Sequence, residues 1–186
     1  MIVETIVSTM DASGRVNAAP MGIALEGETI LLRPFRESLT HRNLRETGEG
    51  VVNVTDNVLL FARSALDSWV PPHRPATKVR GVILEDVCHW REFRVEASDL
   101  SEDRGRFWAR VVAHGRGRDF LGFNRAKHAV IEATILATRL HLLGRETVFR
   151  EIERLRPMIT KTAGPEEEQA FELIHDRVRA GAADAH

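Results

Sequence analysis

A chain of 186 residues holds one substantial core, or one domain with a helical appendage, and is short for three domains. Its 26 basic and 27 acidic residues nearly cancel, which excludes a global field drawing it to nucleic acid or to an anionic membrane. Cys88 is the single cysteine, so this chain alone builds neither an intrachain disulfide nor a cysteine-based zinc site.

Any basic site must therefore be local. Only Lys78, Lys127 and Lys161 are lysines among the 26 basic residues; the arginines that make up the rest suit bidentate phosphate binding. Tyrosine is absent, which removes one common general acid. The start MIVETIVSTMDASG has no basic region followed by a long apolar core, and no stretch approaches the roughly 20 apolar residues that span a bilayer. A cytoplasmic protein is the expectation.

Residues 2–9 (IVETIVST) are rich in β-branched types, DASG follows as a turn cluster, and RVNAAPMGIAL and TILLRP follow across EGE. The first 34 residues thus predict three short strands in a meander. Pro20 cannot donate to a ladder, so it marks a sheet edge, a bulge or a place where something else meets the backbone. SLTHRNLRETGEG predicts a short helix with Ser38 as N-cap and Gly48 closing it. VVNVT predicts a fourth strand, and DNVLLFARSAL a second short helix capped by Asp56 or Asn57. DSWVPPHRPATK, with its three prolines, predicts an irregular loop.

VRGVILEDV, WREFRVEASDL and RGRFWARVVAHGRG are further strands. Phe93 and Val95 alternate with Arg94 and Glu96, as a half-exposed antiparallel strand requires. Six or seven strands with few helices fit a small barrel rather than a parallel βαβ sheet. After Asn124 the period changes to helical: one helix from the Asn124 cap to Gly144, then ETVFREIERLRPMITKT, then PEEEQAFELIHDRVRAG with Pro165 at its first position and three glutamates at the positive end of the dipole. AGAADAH reads as a frayed end.

The stretch LLRPFRESLTHRN carries the densest chemistry. Ser38 and Thr40 at a helix start present hydroxyls and free amides to one point, with Arg33, Arg36 and Arg42 nearby, a combination suited to a phosphate. A capped surface helix with solvated arginines explains the same residues equally well. Asn53, Thr55 and Asp56 at the next strand end are expected beside that helix, where they could read the polar edge of a ring; turn and cap chemistry is the simpler account. AAPMG (18–22) places small residues where a flat ligand could lie on the backbone, or else forms an edge strand with a bulge. GRGRDFLGFN has Phe120 where a dinucleotide loop needs its third glycine, so that reading fails. Phe120 and Phe123 fit either a pocket wall or junction packing. The scattered histidines show no metal-binding spacing, and no nucleophile elbow occurs.

ETIVSTMDASGRVNAAPMGI, LLRPFRESLTHRNLRETGEGVVNVTDNVLLFARSAL, VRGVILEDVCHW and GRGRDFLGFNRAKHAVIEATILATRLHLL together resemble the blocks of the family labelled domain of unknown function 447. These are flavin-reductase-like proteins with the FMN-binding split β-barrel fold, and the similarity runs over nearly the whole chain. The resemblance implies a mainly β (α+β) chain, with a split β-barrel FMN-binding domain over residues 1–123 and a C-terminal helical subdomain over 124–186. It implies FMN at the interface of a homodimer. The phosphate would be held by Arg33, Ser38, Thr40 and Arg42, with Pro34, Phe35 and Asn43 also among the cofactor-binding residues. The backbone of Ala19, Pro20, Met21 and Gly22 would face the ring, and Asn53 and Thr55 its polar edge. The related pyridoxamine-phosphate oxidases carry two basic residues where Leu39 and Thr40 stand here, so neutralisation must rest on Arg33, Arg36 or Arg42.

The implied activity is that of a flavoprotein oxidoreductase acting on a small molecule, with NAD(P)H as electron donor, no metal, and no side chain required as acid or base. Phe35, Trp69 or Phe123 would shield the reactive face. The occurrence of the family in organisms that use tetrahydromethanopterin points to a pterin-related reduction. Two alternatives stand beside this reading: a non-catalytic flavin-binding or accessory protein, and a haem-binding split barrel with His73 or His114 as axial ligand.

Overall fold

The computed structural model describes residues 1–67 and 69–181; of the expected frayed end AGAADAH, Ala180 closes the last helix and Gly181 caps it, and residues 182–186 lie outside the described residues. In chain order the elements are β1 (Ile2–Met10), β2 (Val16–Glu26), β3 (Thr29–Leu32), α1 (Leu39–Thr47), β4 (Glu49–Val54), α2 (Val58–Leu66), β5 (His73–Pro75), β6 (Val82–Leu84), β7 (His89–Asp99), β8 (Arg106–Arg116), α3 (Arg125–Thr138), α4 (Leu140–Leu143), α5 (Arg145–Thr162) and α6 (Pro165–Ala180). They form two compact units: Met1–Thr55 with Val70–Phe120, and Asp56–Trp69 with Leu121–His186. No helix among the described residues is long and apolar enough to cross a membrane.

The first unit is a closed antiparallel barrel in the order β1-β2-β3-β8-β7-β4. Its meander follows from local turn chemistry. Asp11 accepts from the Ser13 hydroxyl and the Arg15 amide at the first turn, and these bonds hold its carboxyl well below the usual carboxylate range. Gly27, at φ +60°, takes the left-handed conformation that the tight β2–β3 turn needs. Among the described residues β3 pairs with β2 only over residues 24–26. Pro20, paired with Ile6 of β1, therefore sits where the other edge of β2 is open, and its missing N–H breaks no ladder there.

Strand alternation sorts the two faces of β1. Val7 points into a core with Ile23, Ile30, Leu32, Val52, Phe93 and Phe107, and α1 closes it by inserting Leu44. Ile6 and Ser8 point outward yet are fully buried, because the β5–β6 ribbon lies over them: the Ser8 hydroxyl donates to the Val82 carbonyl.

That ribbon corrects one sequence expectation. The proline-rich stretch contains β5, paired from His73 to Pro75 with β6, so there are eight strands among the described residues rather than six or seven. Pro75 is tolerated because it ends a strand of a two-stranded ribbon. The loop beyond is pinned by Glu92, a fully buried carboxylate that accepts from the Thr77 amide and hydroxyl and from the Lys78 amide at 2.6–3.1 Å.

The second unit packs α2, α3, α5 and α6 around Val58, Ala62, Val130, Ala133, Ile152, Phe171 and Ile174. Small residues on α3 (Ala126, Ala129, Ala133, Ala137) are buried and let neighbouring helices approach closely. Asn57, not Asp56, caps α2, accepting from the Leu60 amide. Asp56 instead receives the Lys127 ammonium at 3.0 Å, with Glu167 at 3.8 Å on the other side. A second correction concerns the single helix expected up to Gly144. It breaks at Arg139, whose amide falls back on the Leu136 carbonyl while the Thr138 hydroxyl takes Ile135. The break turns Leu140 into the core.

Candidate functional site

The chain leaves the barrel after Leu32, which pairs with Phe107 at the start of β8. Buried Pro34 precedes Phe35, which makes an isolated bridge with Arg104, and the Arg104 guanidinium lies 4.0 Å from the Phe35 ring centroid. The Arg36 amide donates to the Asp103 carbonyl at 2.9 Å. Ser38 then caps α1 in both directions: its hydroxyl donates to the Phe35 carbonyl at 2.7 Å and accepts from the His41 amide at 3.2 Å. Residues 33–38 are thus tied to residues 103 and 104, and the helix start is held rigidly.

Electrostatically this start favours an anion. The first turn carries no acidic residue, its remaining amides lack intrahelical acceptors, and Arg33, Arg36 and Arg42 are exposed around it. Arg33 meets Glu102 at 3.8 Å with both side chains half exposed, a pair of ~1 kcal/mol or less. His41, buried beneath, is pushed below its ordinary value by burial first and then by Arg45 and Arg36, as a positive local field requires.

The structure separates the residues expected to gather here. Ser38, Arg33, Phe35 and Arg42 lie on the solvent side of the α1 start. Thr40 and Asn43 are buried on its inner side, where the Thr40 hydroxyl accepts from the Asn17 carboxamide at 3.0 Å and Asn43 donates to the Thr9 hydroxyl at 3.1 Å. These two side chains lace α1 to β2 and β1. Asn53 is on the other side of the strand: it bonds Ser8, whose neighbour Thr9 bonds Asn43, and adjacent strand residues face opposite ways. Its carboxamide donates to the Ser8 hydroxyl at 3.1 Å and accepts from the Leu84 amide at 3.0 Å, and it is fully buried. The expectation that Asn53 sits beside α1 is therefore corrected; it joins β1, β4 and β6. The Thr55 hydroxyl donates to the Asp86 carbonyl at 2.9 Å.

In residues 19–22, Ala19 faces Val7 and Met21 faces Thr5 across the ladder, pointing toward the core, whereas Pro20 and Gly22 face outward. A Cβ on Gly22 would meet the Ile2 side chain at 2.8 Å. The backbone of this segment remains open along its unpaired edge. Of the aromatic residues considered as shields, Phe35 is overlain by Arg104, Trp69 by Arg63 at 3.9 Å, and Phe123 is 91% exposed.

The barrel with its closing helix and the separate helical unit recur elsewhere. The N-terminal model described as a protein of unknown function, DUF447, matches residues 3–118, and its C-terminal counterpart matches residues 124–176. The chain belongs to this family. An FMN-bound protein of the DUF447 family from Methanosarcina mazei is 27% identical, with a TM-score of 0.83 over 95% of this chain and 94% of that one. The 2-nitrobenzoate 2-nitroreductase of Pseudomonas fluorescens is 21% identical (TM-score 0.54, 62% of this chain and 64% of that one). The flavin reductase of the Pseudomonas putida S12 styrene monooxygenase is 20% identical (TM-score 0.52, 62% and 80%). The last two likenesses are of fold, the split barrel of flavin-reductase-like proteins.

Sequence reasoning missed Asn17, Asp103 and Arg104, which sit far from LLRPFRESLTHRN in the chain. It also missed Ser8 as the partner of Asn53. A polar residue at an interior period-2 position, as Thr9 is, was the available signal for the inner hydrogen bonds.

Proposed function

We propose that the protein binds FMN with its phosphate at the start of α1 and acts as a flavin-dependent oxidoreductase on a small molecule. The observation that carries the reading is the rigid, exposed helix start, with no acidic residue in its first turn and with Arg33, Arg36 and Arg42 around it, outnumbering the neighbouring Glu37. Likeness over nearly the full chain to the FMN-bound family member supports the same cofactor. The residues fit the group: Ser38 and the first-turn amides would direct hydrogen bonds at the phosphate, the arginines would neutralise it, and the open backbone of residues 19–22 would support the ring. Thr40, Asn43 and Asn53 act behind this surface by holding α1, β1 and β4 in place.

A flavin held there would supply two-electron chemistry, between a hydride donor such as a nicotinamide nucleotide and a small-molecule acceptor. The chain's own part is to orient the ring and set its charge. The reading includes a homodimer, to which exposed Ile2, Trp108 and Val112 of the barrel unit would contribute apolar surface.

The test is flavin retention. Purified protein should keep an oxidised-flavin absorption band through dialysis, and the combined Arg33→Ala, Arg36→Ala and Arg42→Ala variant should lose it while its circular dichroism is unchanged. Full flavin occupancy in that variant would move the phosphate elsewhere. Anaerobic mixing with NADH or NADPH, followed by candidate acceptors with pterins among them, separates a catalyst from a carrier: only a catalyst bleaches and recovers the band at turnover rates.

A further inference from the structure

The β7–β8 hairpin carries a second basic constellation that the flavin reading does not use. His89 pairs with Arg116, and Arg91 with His114. Residues two apart on a strand share a face, and directly opposed residues share it too, so these four side chains form a two-by-two block. An irregularity at Glu92/Phe93 leaves Val112 unpaired in β8 and brings His114 and Arg116 onto the face that, further along β7, carries Phe93 into the barrel core.

The two arginines sit diagonally across the ladder, each opposite a histidine, so two positive charges share one face at close quarters. Arg116 reaches Asp119 at 3.5 Å, with both side chains almost fully exposed, so this pair is worth little. Arg118 nearby is matched by Asp86. Among the described residues Arg91 makes no ion pair, and its Nε is buried without a hydrogen-bond partner, an N–H that burial makes unfavourable to leave unmet. His89 is held below its ordinary value by burial and then by Arg91 and Arg116.

The block lines a cavity of about 320 Å³ whose other walls include Trp90 and Phe120. Trp90 is locked in position: its ring lies where a Cβ on Gly115 would be, 2.2 Å from the nearest ring atom, and Arg74 covers it at 4.6 Å. The cavity is set apart from the α1 start. Phe107 marks the α1 end of β8, and seven to nine residues at about 3.3 Å each separate it from His114 and Arg116, roughly 25 Å along the strand.

We propose that this cavity is a second anion site, which takes the phosphate group of a phosphate-bearing small molecule between Arg91 and Arg116. Guanidinium groups match phosphate oxygens in bidentate fashion, and the Arg91 Nε–H gains the acceptor it lacks. The histidines supply further donors, and the volume is at the lower end for ligand sites.

The proposal is tested by calorimetric titration of the purified full chain, with its flavin content recorded, using inorganic phosphate and 5′-AMP as probes. Saturable binding of either to flavin-loaded protein is expected, weakened about 10–100-fold by Arg91→Ala. Tighter binding of 5′-AMP than of phosphate identifies a nucleotide as the source of the group; equal binding identifies the bare anion. Absence of saturable binding of both probes, or binding that Arg91→Ala leaves intact, overturns the proposal. Flavin occupancy is read independently in the same samples, so failure of this site and failure of the flavin reading are told apart.

Discussion

Asn53 decides between two accounts of the same residue, because family resemblance assigns it to the flavin edge and the structure assigns it to the fold. In Asn53→Ala the Leu84 amide, now accepted by Asn53 at 3.0 Å, is left buried without an acceptor, a loss of about 1–3 kcal/mol. Ser8 keeps its bond to the Val82 carbonyl but loses the donor at 3.1 Å, about 0.5–1.5 kcal/mol more. A small cavity adds to both, for a total of about 2–4 kcal/mol. For a chain of this length that corresponds to roughly 5–15 °C in the melting temperature. The assay is thermal unfolding followed by circular dichroism, on flavin-free and flavin-loaded protein. A fall in stability in both states is expected, with only a modest change in flavin affinity. An unchanged melting temperature of the flavin-free variant, together with a large loss of flavin affinity, would refute the structural account.

Three further outcomes follow from buried groups. Glu92→Gln places an amide donor against the Thr77 and Lys78 amides, so it should lower stability by about 2–3 kcal/mol in denaturant titration. Because hydrogen bonds to those amides hold the Glu92 carboxyl below its ordinary value of 4.5 despite burial, its contribution is present above that pH and is lost as pH falls through the lower folded value; the variant should lack this acid-linked loss. Burial first, then Arg45 and Arg36, depress His41 below 6.5, so the fold disfavours its charged form; stability should decline as pH drops below 6.5 towards the lower folded value, and His41→Gln should flatten that slope. Gly115→Ala would set a methyl group against the Trp90 ring and should cost about 1–3 kcal/mol, with a shift in tryptophan emission.

Much of the architecture is legible in local chemistry. The turn DASG, the Ser38 and Asn124 caps, Gly48 beyond α1 and Pro165 at the first position of α6 each act within a few residues, so the sequence alone places those elements. The dense donors of LLRPFRESLTHRN and their likeness to the family's blocks likewise mark the α1 start as the place to look for an anion. Three features had to wait for tertiary structure. A strand at His73–Pro75 forms only because Val82–Leu84 is there to pair with it, against the local preference of a proline-rich stretch. Asn53 turns away from the α1 side to Ser8 and Leu84 because β6 covers the outer face of β1, a long-range fact that no neighbouring residue encodes. The basic block of the β7–β8 hairpin exists because the extra residue at Val112 changes which face His114 and Arg116 occupy, and the parity of a strand becomes known only with its partner.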